Sequence, residues 1–385
     1  MPARSPEIHP NPEVLKWARE SSGWSVDEIS SKLKLDTSTY RSFESGDKPI
    51  RLTTLEALGE YFKRPVAVFF LPSAPKEPAP PTDFRFLPTA LRRFDKKTIL
   101  AMRRAQRLQN VARDLLQRVG RPTEPRMGEA RLDNDPEEVA LEERKRFGIP
   151  LENQAQWRSA ASAFEEWRAA IEDLNVLVFR FGMPVDNARG FSLSDATPFV
   201  IVVSSADAPA ARIFTLMHEY AHLLLKTSGI CIPQLTGTRQ VNITHVEQWC
   251  NRFSAALLVP RELFSAKIDW KAMAEPGPQL SQFLSDASSR LRVSRQVVLR
   301  RMFDLQLIAK KTYNAEMQKL IASTKIPKGG GFTLPDRRCI FENGRLFTSI
   351  VLESRTRGII TTRDVSDYLS LPAKHLRSIQ SLVAA

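Results

Sequence analysis

A chain of 385 residues with a 42% hydrophobic fraction can bury more than one core, so we expect two or three globular domains. No apolar run approaches the roughly 18 residues that cross a bilayer, and the first ten residues hold no apolar export signal, which predicts a cytoplasmic protein without a membrane partner. The three cysteines, Cys231, Cys250 and Cys339, are too widely spaced for a disulfide framework or a cysteine-based metal site. The net charge of +13 favours a nucleic-acid partner.

Residues 12–72 are predicted to form a bundle of short helices. A capping box at Ser25 to Glu28 opens the second helix, and Asp36 is placed to cap the third, which Gly46 ends. The other predicted helices lie at residues 14–20, Thr37–Ser45 and Thr53–Phe62. Two short helices joined by a tight turn are typical of a helix-turn-helix.

The stretch W-S-V-D-E-I-S-S-K-L-K-L-D-T-S-T-Y-R-S-F-E-S-G resembles the Xre/Cro-type helix-turn-helix. The resemblance implies that the helix Thr37–Ser45 enters the major groove of DNA. The implied DNA contacts are Thr37, Ser38, Arg41 and Ser42, with Lys48 and Arg51 on the phosphate backbone. The alternative is a protein-docking bundle, because residues 1–75 carry equal numbers of acidic and basic residues and the helix lacks Gln and Asn. We expect modest DNA affinity unless the protein forms a homodimer or the next segment helps.

The positive charge is concentrated in residues 76–120, which hold eleven basic and four acidic residues. Residues 66–85 are a short apolar element and a proline-rich strap, typical of an interdomain connection. A helix is predicted from Leu91 to Val119, and its other faces carry Arg92, Arg93, Lys96, Lys97, Arg103, Arg104 and Arg107. These cations form either a solvated face or a phosphate-contacting strut.

A small sheet is predicted before the most informative motif of the chain. Helices are predicted at Glu137–Phe147 and Phe164–Leu174, followed by strands at residues 176–181, 191–193 and 199–203. Residues 190–193 are our candidate for an edge strand that pairs with an extended peptide.

The stretch R-I-F-T-L-M-H-E-Y-A-H-L-L-L-K holds His218, Glu219 and His222 in the pattern H-E-x-x-H. Positions four apart lie on one face of a helix, so the two imidazoles can bind one cation. Zn²⁺ suits neutral imidazole, and a catalytic zinc takes three protein ligands and leaves one position for water. Glu219 is placed to take a proton from that water. Two surface histidines on an ordinary helix are the alternative, but the apolar flanks predict a buried helix.

The third ligand is expected at the start of a helix that begins near Val246, after a loop at residues 229–244. His245 and Glu247 are the nearby candidates. Glu247 is favoured because Asn251 lies one turn further on the same face, where its amide can orient the carboxylate. His245 is then an accessory group, and Cys250 a buried small residue.

The blocks V-L-V-F-R-F, G-F-S-L-S-D, F-T-L-M-H-E-Y-A-H-L-L-L and E-Q-W-C-N-R-F-S-A-A-L-L-V-P resemble the ImmA/IrrE family of metallopeptidases, in its order. The resemblance covers residues 165–262. It implies that His218, His222 and Glu247 hold zinc and that Glu219 is the general base. It also implies cleavage of a DNA-binding repressor, and so a role in stress, mobile-element or toxin–antitoxin regulation.

The expected fold is mainly α with a small β-sheet (α+β). Its parts are a helix-turn-helix bundle (residues 1–75), a helical connector (76–150), a zincin-like peptidase domain (151–310) and a mixed C-terminal domain (311–385). In the last, C-I-F-E-N-G-R-L-F-T-S-I-V-L-E-S and G-G-G-F-T-L are predicted strands, and residues 362–369 a helix. We expect either a DNA-binding zinc endopeptidase that cuts a regulatory protein, or a transcriptional regulator or antitoxin whose zinc site is structural or ligand-sensing.

Overall fold

The computed structural model describes residues 5–75, 95–226, 230–231, 241–264, 276–323 and 334–384. Within these ranges helices predominate beside two small sheets, which confirms the predicted fold class. None of the helices described is long and apolar enough to cross a membrane. The described residues divide into two units, one up to residue 103 and one from residue 104 onward.

The first unit is a small helical bundle with its own core. Its helices are α1 (Pro12–Ser21), α2 (Val26–Leu33), α3 (Thr37–Ser45) and α4 (Leu52–Phe62). Strand β1 (Glu7–Ile8) pairs antiparallel with β2 (Ile50–Arg51). The fully buried core side chains include Leu15, Ile29, Tyr40, Leu55 and Phe62. The predicted four-helix bundle is therefore confirmed, because the apolar positions of each helix meet in one cluster.

The ends of α2 and α3 agree with the capping residues that the sequence predicted, with one exception. The capping box is present, with Ser25 Oγ accepting from the Glu28 amide at 3.1 Å. Lys34 takes a left-handed conformation (φ 56°), which ends α2, and Gly46 (φ 83°) ends α3. Asp36 stands at the N-cap of α3, but its side chain makes no capping hydrogen bond, so that part of the prediction is wrong.

Helix α5 (Lys96–Val119) begins in the first unit and continues in the second. Several of its basic side chains bind groups of the chain itself, and one of these, Arg107, is also exposed to solvent, as the solvated-face interpretation predicts. Their partners are Glu28 for Lys96 (2.6 Å), Ser22 Oγ for Arg103 (2.9 Å), Glu342 for Arg104 (3.2 Å), Asp367 for Arg107 and the Thr197 carbonyl for Arg113 (2.8 Å). Arg92 and Arg93 lie outside the described residues.

The second unit contains a four-stranded sheet in the order β3-β5-β4-β6. The strands are β3 (Leu177–Phe181), β4 (Gly190–Leu193), β5 (Val200–Ser204) and β6 (Ile230–Cys231). Strands β3 and β5 are parallel and buried, which explains their continuous apolar runs. Strand β6 pairs with β4 at Gly190 and Phe191, so β4 is not the edge strand that the sequence suggested.

Helices cover the sheet and bring the H-E-x-x-H segment against it. They are α6 (Pro136–Phe147), α7 (Leu151–Gln156), α8 (Ala160–Asp173), α9 (Pro209–Leu224) and α10 (Val241–Leu258). Helix α9 packs on β4 and β5 and is flanked by α8 and α10. The sequence placed the start of α10 near Val246, but the helix begins at Val241. Most of the predicted loop before it lies outside the described residues.

After α10, the regular secondary structure of the described residues is helical. The helices are α11 (Pro278–Leu291), α12 (Arg295–Asp304), α13 (Lys310–Ser323), α14 (Pro335–Asn343), α15 (Arg345–Thr356), α16 (Thr362–Leu369) and α17 (Leu376–Ala384). Residues 339–354 were predicted as strand, and that prediction is wrong. Their buried positions, Cys339, Asn343, Phe347, Ile350, Val351 and Ser354, recur at helical spacing, which outweighs the β-branched composition. The other predicted strand, at residues 329–334, lies almost wholly outside the described residues.

Candidate metal centre

Helix α9 presents two histidines and a glutamate to the interior of the second unit. Pro209 stands at its first turn, where a missing amide proton costs nothing, and an apolar face anchors it to the sheet. His218 and His222 are one turn apart, 1% and 2% exposed, and Glu219 is fully buried. The apolar flanks thus produce a buried helix, as the sequence predicted.

Helix α10 brings Glu247 to both imidazoles. The His218 Nε2 and His222 Nε2 atoms lie 3.2 Å apart. Glu247 Oε2 lies 3.1 Å from His218 Nε2, and Glu247 Oε1 lies 3.3 Å from His222 Nε2. Potential ligand groups of three residues on two helices therefore lie close to one another.

These spacings match the donor set of a small divalent cation. For bonds of about 2.0–2.1 Å, neighbouring donors of a tetrahedral site lie roughly 3.3 Å apart. Each of the three residues offers one ligand atom, and these atoms all lie within 4.8 Å of one another. Two imidazoles and a carboxylate are also the ligand types that zinc accepts. The residues fit a metal ion of that kind.

The two carboxylates of the site have opposite electrostatic environments. Burial opposes ionisation of Glu247, but His218 and His222 outweigh it and hold the pKa of Glu247 well below its usual range. Burial raises the pKa of Glu219 to about 7, against the lowering effect of the two histidines and of a hydrogen bond from Ser192. The two histidines thus favour the ionised form of Glu247, whereas burial favours the protonated form of Glu219.

Ser192 and Gly190 on β4 contact Glu219, and the sequence reasoning missed both. The Ser192 hydroxyl donates to the Glu219 carboxylate. A Cβ at Gly190 would lie 3.3 Å from Glu219 Cγ and 2.6 Å from Thr215 Cγ2, so only glycine allows this approach of α9 to β4. The available signal was a serine and a glycine, two apart, within an otherwise apolar strand.

Three other predicted neighbours do not join the ligand cluster. Asn251 is half-buried on α10, one turn after Glu247, and its role as an orienting amide stays a prediction. His245 is exposed on α10 and stands apart from the three ligand atoms. Cys250 is fully buried, and its thiol hydrogen-bonds with His222 rather than joining the ligand set.

The proposed DNA contacts lie on and after α3 in the first unit. Ser38 and Arg41 on α3 are exposed, as are Lys48 and Arg51 just after it. Thr37 and Ser42 are half-buried and already engaged, since Thr37 Oγ1 hydrogen-bonds with Asp27 at 3.3 Å and Ser42 Oγ donates to the Thr39 carbonyl at 2.7 Å. The exposed surface of α3 therefore offers one cation, Arg41.

By fold and site, the protein combines a helix-turn-helix unit with a unit that carries a two-histidine, one-glutamate cluster. Comparison with protein families agrees: residues 15–69 match the family described as helix-turn-helix, and residues 171–303 match a peptidase family described as the IrrE N-terminal-like domain. The resemblances drawn from the sequence are thereby confirmed. Searches of curated proteins and of solved structures gave no significant match.

Proposed function

We propose that the protein is a DNA-binding zinc metallo-endopeptidase that cleaves a regulatory protein, a repressor or an antitoxin. The observation that carries the proposal is the convergence of His218, His222 and Glu247, with donor atoms 3.1–3.3 Å apart, beside the fully buried Glu219. The match of residues 171–303 to a peptidase family supports the same class of reaction.

Each residue of the cluster has a distinct role in this proposal. His218, His222 and Glu247 hold the zinc ion, which supplies a Lewis acid that polarises the scissile carbonyl and makes water more acidic. The Glu219 carboxylate accepts the proton of the attacking water and returns it to the nitrogen of the leaving amine. The buried walls of α9 and α10 keep the dielectric low, which strengthens these electrostatic effects.

The number of ligands favours a catalytic site over a structural one. Structural zinc sites are closed by four protein ligands, whereas catalytic sites have three and leave one position open. Within the described residues, the cluster holds three. A regulator with a purely structural zinc site is the second candidate, and the helix-turn-helix match is equally compatible with it.

Metal content and proteolysis distinguish these candidates. The full-length protein is expected to bind one Zn²⁺ and to cleave one of the proteins encoded beside its gene. Glu219→Gln should keep the metal and slow cleavage by about 10²–10⁴-fold, the usual contribution of a general base. Glu166→Gln is the matched control, because Glu166 is exposed on α8. Cleavage at the normal rate by Glu219→Gln would overturn the mechanism.

DNA binding, the other part of the proposed function, is tested separately. The protein should retard DNA from upstream of its own gene in a gel, with and without a chelator. Repression that persists after His218→Ala, together with no cleavage of any neighbouring protein by the unmodified chain, would favour the regulator with a structural zinc site instead.

A further inference from the structure

Strand β4 carries a polar side chain in a place where its neighbours are apolar. Alternate residues of a strand face the same side of a sheet, so Gly190 and Ser192 share the side that packs on α9. The cross-strand partner of Ser192 is Ile201, whose own partner is Val178. Ile201 and Val178 belong to the main hydrophobic core, which leaves Ser192 as the polar member of that row.

A buried hydroxyl in such a row is costly unless it is hydrogen-bonded. Ser192 is fully buried, and the Glu219 carboxylate accepts its hydrogen bond. An alanine or valine would fill the row without this requirement. The serine is therefore explained by its hydrogen bond to Glu219 on α9, and not by the packing of the sheet.

Gly190 makes the contact between strand and helix short enough for this bond. A Cβ at Gly190 would lie 2.6 Å from Thr215 Cγ2 and 3.3 Å from Glu219 Cγ, both on α9. Both contacts are tight, so a larger residue would force α9 away from β4. The glycine and the serine thus act on the same side chain from adjacent positions of one strand face.

We propose that Ser192 is a positioning residue for Glu219: by donating to one carboxylate oxygen, it selects the orientation in which Glu219 faces the metal position. This inference rests on the proposed function, in which Glu219 exchanges protons with the substrate water. The side chain of a glutamate has three rotatable bonds, and a fixed donor restricts them before any substrate binds. In this proposal the effect of Ser192 on the reaction is exerted through Glu219.

The test uses Co²⁺ as a visible probe and acetohydroxamate as a ligand, so it requires no known substrate. A hydroxamic acid chelates the metal through two oxygens, and in the proposed arrangement it also hydrogen-bonds with Glu219. Full-length protein is loaded with Co²⁺, and both Co²⁺ affinity and acetohydroxamate affinity are measured by absorption. The variants are Ser192→Ala, Glu219→Gln and the double variant. Ser254→Ala is the matched control, a fully buried serine whose hydroxyl donates to the Cys250 carbonyl.

Ser192→Ala should leave Co²⁺ affinity unchanged and weaken acetohydroxamate binding about tenfold or more, the effect of losing a hydrogen bond to a charged group. In the Glu219→Gln background the same change should have no further effect, because the group being positioned is gone. Ser254→Ala should match the unmodified protein. Ser192→Cys, with a weaker donor of similar size, should give an intermediate affinity and replaces Ser192→Ala if that variant does not fold.

Two other outcomes separate this inference from the proposed function. Equal effects of Ser192→Ala in both backgrounds, or a parallel loss of Co²⁺ affinity, mean that Ser192 is a structural residue and overturn the positioning role alone. Failure of the unmodified protein to bind Co²⁺ overturns the metallopeptidase proposal and this inference with it.

Discussion

At the scale of single residues, the identity of the third metal ligand has the clearest consequence. Glu247 supplies both carboxylate oxygens to the cluster, whereas His245 is exposed two residues earlier on the same helix. A helix turns by about 100° per residue, so positions two apart point to different sides. Only one of the two can face the histidines of α9.

Glu247→Gln should therefore weaken Zn²⁺ binding, by more than the roughly 10–100-fold that loss of an outer-shell partner costs. His245→Ala should leave it unchanged. Competition with a chromophoric chelator measures both. A larger loss in His245→Ala than in Glu247→Gln would show that the wrong side chain has been assigned.

Gly190 determines how closely α9 approaches the sheet. Alanine at this position should destabilise the protein by about 1–3 kcal/mol, the usual cost of overpacking a core, because its Cβ would lie 2.6 Å from Thr215 Cγ2. Gly182→Ala is the control, since the nearest atom to a Cβ there is Ser205 Oγ at 3.8 Å. Urea denaturation compares the two. Equal midpoints would mean that α9 shifts without cost.

At the scale of elements, the buried ion pair of Arg168 and Glu172 on α8 connects that helix to the junction between α14 and α15. The Glu172 Oε2 atom accepts from the Arg345 and Leu346 amides at 3.0 and 3.1 Å, at the positive end of α15. Arg168 pairs with Glu172 at 3.3 Å and donates to the Phe341 carbonyl at 3.0 Å. The C-terminal helices are thus attached to the peptidase-like region through groups that water does not reach.

Glu172→Gln should destabilise the second unit by about 3 kcal/mol, because it removes the nearer and more deeply buried of the two carboxylates that pair with Arg168. Glu166→Gln, an exposed change on the same helix, should have little effect. Thermal unfolding followed by circular dichroism measures the difference. An unchanged unfolding temperature in Glu172→Gln would show that the hydrogen bonds from the Arg345 and Leu346 amides, and not the charge of Glu172, hold the helix junction in place.

Two turns in the chain share one local geometry but differ in what they expose. Lys34 and Arg292 both take left-handed conformations (φ 56° and 58°), and each is followed by an apolar residue whose amide bonds to a carbonyl five residues back. Helix α3 then exposes Arg41, whereas Leu299 at the equivalent position of α12 is fully buried. The position of Arg41 on α3 is thus open to solvent, whereas the corresponding position on α12 is packed in a core.

Arg41→Ala should lower DNA affinity and reduce the slope of log affinity against log salt by about one, because one phosphate or base contact is lost. Lys16→Ala removes the same charge from an exposed position on α1 and serves as the control. Fluorescence anisotropy at several salt concentrations measures both slopes. Identical slopes for the two variants would contradict the assignment of α3 as the DNA-contacting helix.

At the scale of the whole molecule, the net charge of +13 gives a misleading picture of DNA binding. Several cations of α5 are engaged by carboxylates and carbonyls of the chain, so these side chains are less available to phosphate groups. The two units have separate hydrophobic cores. Metal binding and DNA binding are therefore expected to respond to different perturbations.

Removal of zinc should lower the unfolding temperature of the protein and leave its DNA affinity unchanged. A ligand at 100 times its Kd stabilises the folded state by about 2.7 kcal/mol, and this stabilisation is lost with the metal. Calorimetry measures the unfolding temperature and a gel shift measures the DNA affinity, each with and without a chelator. Loss of DNA binding on chelation would show that the metal site supports the DNA-binding unit.

The sequence by itself determined the local features of the protein. The H-E-x-x-H spacing placed His218 and His222 on one helix face, and the apolar periodicity and capping residues gave the helices of the first unit to within a few residues. Such features depend on neighbours three or four positions away, which the sequence displays directly. Residues 339–354 are the exception, where β-branched residues concealed a helical period.

Only the tertiary structure decided which distant residues meet. It brought Glu247 to the histidines, set Ser192 and Gly190 against Glu219, and placed β6 beside β4. It also gave the cations of α5 their partners within the chain. These pairings depend on the packing of whole elements against one another, because each side chain satisfies its charge or hydrogen bond with whatever group packing places beside it.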